Sequence, residues 1–138
     1  MHSSMSVCIE SRIYSPDGKF LLCVDNTTGK QCFRKVFNHP RYETLNNLDI
    51  YKVHLSPDGK GIVVLFEMAP SGYKTVGNLA CVTSAGEVMW WAELPDTGND
   101  NFVAVEVKEG KIFAWSWSGQ KCGIDPQTGH ILSKIFTK

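Results

Sequence analysis

The sequence predicts an all-β fold built from antiparallel meanders. Three observations carry that expectation. Short apolar or alternating runs recur along the 138 residues, separated by Gly, Pro, Asp and Asn. The runs are rich in β-branched and aromatic residues, as in Gly61-Ile62-Val63-Val64-Leu65-Phe66 and Phe102-Val103-Ala104-Val105-Glu106-Val107. Helix-period patterns are nearly missing, and only 41–48 allows a helical turn, inside the longer connection 38–49.

In chain order, strands are expected at 6–14, 20–25 and 31–37, then at 50–55, 61–68, 78–83 and 87–94. A last group follows at 102–107, 111–117, 120–124 and 130–136. The connectors justify the breaks. Ser15-Pro16-Asp17-Gly18-Lys19 recurs as Ser56-Pro57-Asp58-Gly59-Lys60, with a degenerate copy in Lys108-Glu109-Gly110-Lys111. Pro presets φ, Asp bonds back to nearby backbone and Gly takes the position with φ > 0. A second connector, Asp25-Asn26-Thr27-Thr28-Gly29, matches Asp125-Pro126-Gln127-Thr128-Gly129, with Thr83-Ser84-Ala85-Gly86 in the corresponding place between them. The following strands are also alike, Lys35-Val36-Phe37 against Lys134-Ile135-Phe136.

Repeats of this length point to stacked or radial β units. The Ser-Pro-Asp-Gly-Lys turn resembles that of WD-repeat and TolB-like propeller blades. Asp-x-x-Thr-Gly followed by an apolar strand resembles the blade motif of quinoprotein-type propellers. The resemblance implies repeat units at about 6–37, 50–94 and 102–136 within one domain, 1–138. The last two units hold four strands each, and the first is one hairpin short. The tryptophan-docking pattern is incomplete: Trp90 and Trp91 follow the second connector, where Phe33 and Leu132 stand in the other units. A closed propeller usually needs at least four blades. The expected architecture is therefore an incomplete propeller of about three blades, or else two packed sheets as a β-sandwich. An open sheet edge is a template for a partner.

Composition excludes several classes. Fourteen basic and fourteen acidic residues give zero formal net charge, which argues against a nucleic-acid binder. The longest apolar runs, Ile62 to Phe66 among them, are far too short for a membrane span. Met1 to Glu10 lacks the pattern of a signal peptide, so a cytoplasmic location is expected. Five cysteines without C-x-x-C spacing then read as reduced thiols, used as small buried apolar side chains.

No catalytic, metal or cofactor signature emerges. The four histidines fall in no nucleophile, zinc or His-Glu-x-x-His pattern, and there is no Gly-x-Ser-x-Gly or phosphate cradle. Cys122 beside Gly123 is better read as a buried thiol than as a reactive one. Asp96 to Asn101 alternates oxygen ligands but lacks the downstream Glu of a Ca²⁺ loop. The expectation is a non-enzyme with no cofactor.

Charge is segregated. Lys30, Arg34, Lys35 and Arg41 form a basic block, while 75–107 holds Glu87, Glu93, Asp96, Asp100 and Glu106 without a single Lys or Arg. The acidic stretch neighbours Trp90, Trp91, Trp115 and Trp117. Phe113, Trp115 and Trp117 are expected on one strand face, whereas Trp90 and Trp91 point to opposite sides of theirs. The expected partner-binding residues are thus Trp90, Trp91, Glu93, Asp96, Asp100, Trp115 and Trp117. The expected function is protein binding, in its concrete form a bacterial immunity or inhibitor protein that occludes a basic toxin domain. The alternatives are a self-associating scaffold subunit, including a homodimer, and a small-molecule or sugar binder.

Overall fold

The computed structural model describes residues 6–41, 48–69, 72–95 and 99–137, and folds them into three antiparallel four-stranded sheets. Each sheet is a simple meander. Blade 1 contains β1 (Val7–Ile9), β2 (Arg12–Asp17), β3 (Phe20–Asp25) and β4 (Gln31–Val36). Blade 2 contains β5 (Ile50–Leu55), β6 (Gly61–Phe66), β7 (Val76–Thr83) and β8 (Val88–Glu93). Blade 3 contains β9 (Phe102–Lys108), β10 (Lys111–Ser116), β11 (Gln120–Ile124) and β12 (Ile131–Phe136). The leading strands meet, β1 with β5 and β5 with β9. The fourth strands form the outer edge of each sheet. This is the incomplete propeller-like arrangement that the turn repeats predict, and it does not close. No helix is present among the described residues, and the helical turn expected at 41–48 falls mostly on 42–47, outside them.

Blade 1 is complete, which corrects the expected missing hairpin. The run 6–14 is two strands, reversed at Glu10-Ser11, with Glu10 at φ 55°. Neither residue is a Gly or Asn, so nothing in the composition marks the reversal. The two identical pentapeptides are consequently not equivalent. Ser56–Lys60 turns between the first and second strands of blade 2, and Gly59 N–H donates to the Ser56 carbonyl at 2.9 Å. Ser15, Pro16 and Asp17 instead lie within β2, and only Gly18-Lys19 turns toward β3. Pro16 is tolerated because β1 pairs only with Arg12, Ile13 and Tyr14, so no neighbour asks for its missing N–H on that side.

The second connector is equivalent in all three blades, always between strands three and four. The Asp25 carboxylate accepts from Thr27 N–H at 2.8 Å, and the Asp125 carboxylate from Gln127 N–H at 2.8 Å. Gly29 and Gly129 donate to the carbonyls of Asp25 and Asp125 at 2.8 and 2.9 Å. Thr83 replaces Asp in blade 2, its hydroxyl accepting from Ala85 N–H at 3.3 Å, and Gly86 N–H donates to its carbonyl at 2.9 Å. After each connector the fourth strand carries one extra residue at the same place: Cys32 opposite Cys23/Val24, Met89 opposite Cys81/Val82 and Leu132 opposite Gly123/Ile124.

Blade 2 is the middle layer. All six residues of β6 are buried. Ile62, Val64 and Phe66 pack with Tyr14, Leu21 and Cys23 of blade 1. Val63 and Leu65 pack with Val105, Ile112 and Ala114 of blade 3. A strand covered on both faces needs a continuous apolar run, and Gly61–Phe66 supplies it. The outer layers alternate instead: Leu21 and Cys23 are buried, while Phe20, Leu22 and Val24 are half-buried.

Candidate functional site: the uncovered blade faces

Three cross-strand rows define the face that each blade turns toward the next. They are Tyr14, Cys23 and Phe33; Val63, Cys81 and Trp90; and Phe113, Gly123 and Ser133. The bulge places Ser133, rather than Leu132, at the position of Trp90 and Phe33, which corrects the expected correspondence.

The first two rows dock in the same way. An aromatic side chain from the fourth strand lies on the turn glycine of the next blade, and a phenol or indole donates to a turn carbonyl. In blade 2, Trp90 Nε1–H donates to the Pro126 carbonyl of blade 3 at 2.9 Å. A Cβ on Gly129 would stand 2.6 Å from the Trp90 ring, so only glycine fits beneath it. In blade 1, Tyr14 Oη–H donates to the Ser84 carbonyl at 2.6 Å, and a Cβ on Gly86 would stand 3.1 Å from the Phe33 ring. Further bonds stitch each joint: Lys35 Nζ to the Ala85 carbonyl at 2.9 Å, and Ile131 N–H to Glu93 Oε1 at 2.9 Å.

Both ends of the stack lack such a neighbour among the described residues. At the far end, Phe113 and Trp115 of blade 3 are half-buried beneath Lys121, whose Nζ lies 4.6 and 5.3 Å from their ring centres. Ile135 shares a row with Trp115 and Lys121 and is 62% exposed. At the near end, blade 1 presents Phe20, Leu22 and Val24. Arg34 lies 3.7 Å over the Phe20 ring and is paired with Asp17 at 2.8 Å. Long basic side chains thus shield both apolar faces with their stems.

The structure separates the sequence-predicted site residues. Trp90 is buried in the joint between blades 2 and 3, so it is a structural dock and not a surface anchor. Trp91 is half-buried against His39 and Phe66, with ring centres at 4.8 and 5.5 Å. Asp100 is 1% exposed, and its Oδ1 and Oδ2 accept from Asn101 N–H at 2.9 Å and Ser118 Oγ–H at 2.8 Å. It anchors the β10–β11 turn, so this acid is withdrawn from any acidic surface. Glu93 is exposed, and Asp96 lies outside the described residues. Trp115 belongs to the uncovered face of blade 3. Trp117 lies past the end of β10, in the β10–β11 turn, where it is 69% exposed. It borders an open cavity of about 420 Å³ lined by Met68, Asn99 and Asn101.

Other groups take structural places. Cys23, Cys81 and Cys122 are buried, whereas Cys8 and Cys32 are exposed, against the expectation for all five. Burial pushes the Cys81 and Cys122 thiols up to about 11, so both are protonated at neutral pH. Among the described residues no cluster of three metal-ligating side chains occurs, and no helix is long and apolar enough to cross a membrane.

His39 carries a pH prediction. It stacks on Tyr73 at 4.8 Å, its Nε2 lies 3.2 Å from the Gly77 carbonyl, and its Nδ1 accepts from Arg41 N–H at 3.3 Å. This is a neutral imidazole. Burial lowers its pKa, and burial together with Lys52 lowers that of His54. The unfolded chain then takes up protons first as pH falls through about 6.5, so stability is full above that value and is lost below it. The thermal midpoint should fall between about pH 7.5 and about pH 5. A variant carrying both His39→Gln and His54→Gln should show a flatter profile. An equal slope in wild type and variant would exclude the two histidines as its source.

Comparison with known families adds one assignment. The family described as "Domain of unknown function (DUF7957)" matches residues 50–136. The chain belongs to that family. The DUF7957 match spans blades 2 and 3 and the joint between them. No curated protein matches the chain. Solved structures resemble its fold. The computationally designed protein Ika8 superposes with a TM-score of 0.63 at 12% identity, covering 96% of this chain and 36% of Ika8. BamB from Moraxella catarrhalis, a β-propeller, gives 0.58 at 14%, covering 91% and 33%. A protein of unknown function from Bacteroides caccae gives 0.51 at 14%, covering 94% and 43%. This DUF7957 chain therefore spans less than half the length of each, and shares with them the propeller-like fold.

Proposed function

We propose that this DUF7957 chain is a non-enzymatic protein-binding domain that docks other polypeptide through its two uncovered blade faces. The observation that carries the reading is the contrast between joints and ends. Two internal joints of one design cover their apolar rows, while Phe113, Trp115 and Ile135 at one end, and Phe20, Leu22 and Val24 at the other, have no blade over them among the described residues. Partly exposed, contiguous apolar rows of this kind mark interaction surfaces. The finer version, an immunity or inhibitor protein facing a basic toxin, draws on exposed Glu87, Glu93 and Glu106. It has lost Asp100 to the interior, and Glu87 is drawn to Lys35 at 3.6 Å.

The test is a photo-crosslinking residue at position 135, irradiated in the source cells, against the same residue at position 109 in an exposed hairpin turn. Position 135 should yield protein adducts well above the level at position 109. Equal, background labelling at both positions would remove the docking reading.

A further inference from the structure

We infer that the occupant of these faces is a second copy of this chain, joined head to tail so that blade 3 of one copy covers blade 1 of the next. The inference rests on the protein-docking reading above and names its partner. Blade 1 carries the receiving half of a joint that the chain already makes twice, and blade 3 offers an apolar face to cover it.

The clearest sign is the set of three equivalent turns. Gly86 and Gly129 are buried, each beneath an aromatic ring of the preceding blade. Gly29 occupies the same place in the blade 1 turn, with φ 74° against 82° and 79°, and has the same bond to its turn's first residue. Yet Gly29 is exposed, and a Cβ there would meet nothing within 4 Å. The turn has the build of a docked turn and lacks the ring.

The carbonyl that receives a docking donor belongs to the residue after the turn's first member, Ser84 in one joint and Pro126 in the other. Its equivalent in blade 1 is Asn26, which is exposed. On the complementary face of blade 3 the hydroxyl of Ser133 stands where Phe33 and Trp90 stand in their blades, and Phe113 stands where Tyr14 and Val63 stand, so a donor is kept while the apolar cover comes from Phe113, Trp115 and Ile135. The faces also match in kind. Phe113, Trp115 and Ile135 would meet Phe20, Leu22 and Val24, burying apolar rows against each other as blades 1 and 2 already do. The contact is heterologous, so each added copy leaves one free face at either end, and assemblies grow or close into a ring.

A heterologous joint has a diagnostic behaviour. Leu22→Asp disables the blade 1 face, and Ile135→Asp the blade 3 face. Wild type should show a concentration-dependent mass above that of one chain in analytical ultracentrifugation. Each variant alone should associate at least tenfold more weakly. An equimolar mixture should recover one intact joint and stop at a one-to-one pair, which also shows that both variants are folded. A wild type that remains monomeric at about 1 mM, the weak end of measurable affinity, would overturn the inference. So would a mixture that stays monomeric while the circular dichroism of both variants matches wild type. A monomeric wild type whose position 135 still crosslinks to a different protein removes the self-association alone. Absence of adducts as well removes the docking reading with it.

Discussion

Trp90→Ala should destabilise the folded chain by about 3–5 kcal/mol, the range for truncating a large buried aromatic side chain. The indole lies on Gly129 and donates to the Pro126 carbonyl at 2.9 Å, so the substitution opens a cavity and removes a cross-blade bond together. The joint between blades 2 and 3 would lose its main outer contact. Trp117→Ala is the internal comparison. That ring is 69% exposed, and its loss should change stability by no more than about 0.5 kcal/mol. Urea unfolding of both variants measures the difference. Similar midpoints for the two would mean that the blade 2–blade 3 joint does not depend on the docked indole.

Asn78→Leu should cost about 3 kcal/mol although the two side chains have similar volume. Asn78 is fully buried and bridges the same two blades. Its Nδ2 donates to the Phe66 carbonyl at 2.8 Å and to the Phe102 carbonyl at 3.0 Å, and its Oδ1 accepts from Phe102 N–H at 2.8 Å. Leucine fills the space but leaves three buried backbone groups without these partners, and an unsatisfied buried group costs more than a made bond gains. Amide exchange at Phe102 is the sensitive readout, since its N–H is the freed donor. Unchanged protection there, with an unchanged unfolding midpoint, would show that water replaces the amide at no cost.

Much of the fold was legible because its signals are local. Asp25–Gly29 and Asp125–Gly129 repeat a turn whose bonds are made within five residues. Gly61–Phe66 was recognisable as a strand because a strand buried on both faces has no room for polar residues. The β1–β2 hairpin was not legible, since Glu10 adopts φ 55° with no glycine to announce it. The repeated pentapeptide misled for a related reason. Its geometry depends on the strand beside it, so the same five residues close a loop at 56–60 and lie largely within β2 at 15–19.

The candidate site was less legible. Trp90 and Trp91 are adjacent and chemically identical, yet Trp90 docks on blade 3 and Trp91 packs beside His39. The alternation of a strand predicts opposite faces but not which neighbour each face meets. Asp100 reads as a surface acid in a polar stretch. Its burial is set by Ser118, eighteen positions away, and by the pairing of Tyr73 with Asp100.

The sequence by itself determined the strand class, most connectors and the incomplete propeller-like arrangement of about three blades. Those depend on backbone preferences and periodicity, which act over a few residues. Only the tertiary structure decided that Gly86 and Gly129 are covered while Gly29 is open, and that Phe113, Trp115 and Ile135 face outward. The three turns hold the same place in their blades and share the glycine that closes them. What distinguishes them is whether a preceding blade lies against them, and that is a property of the stack rather than of any segment.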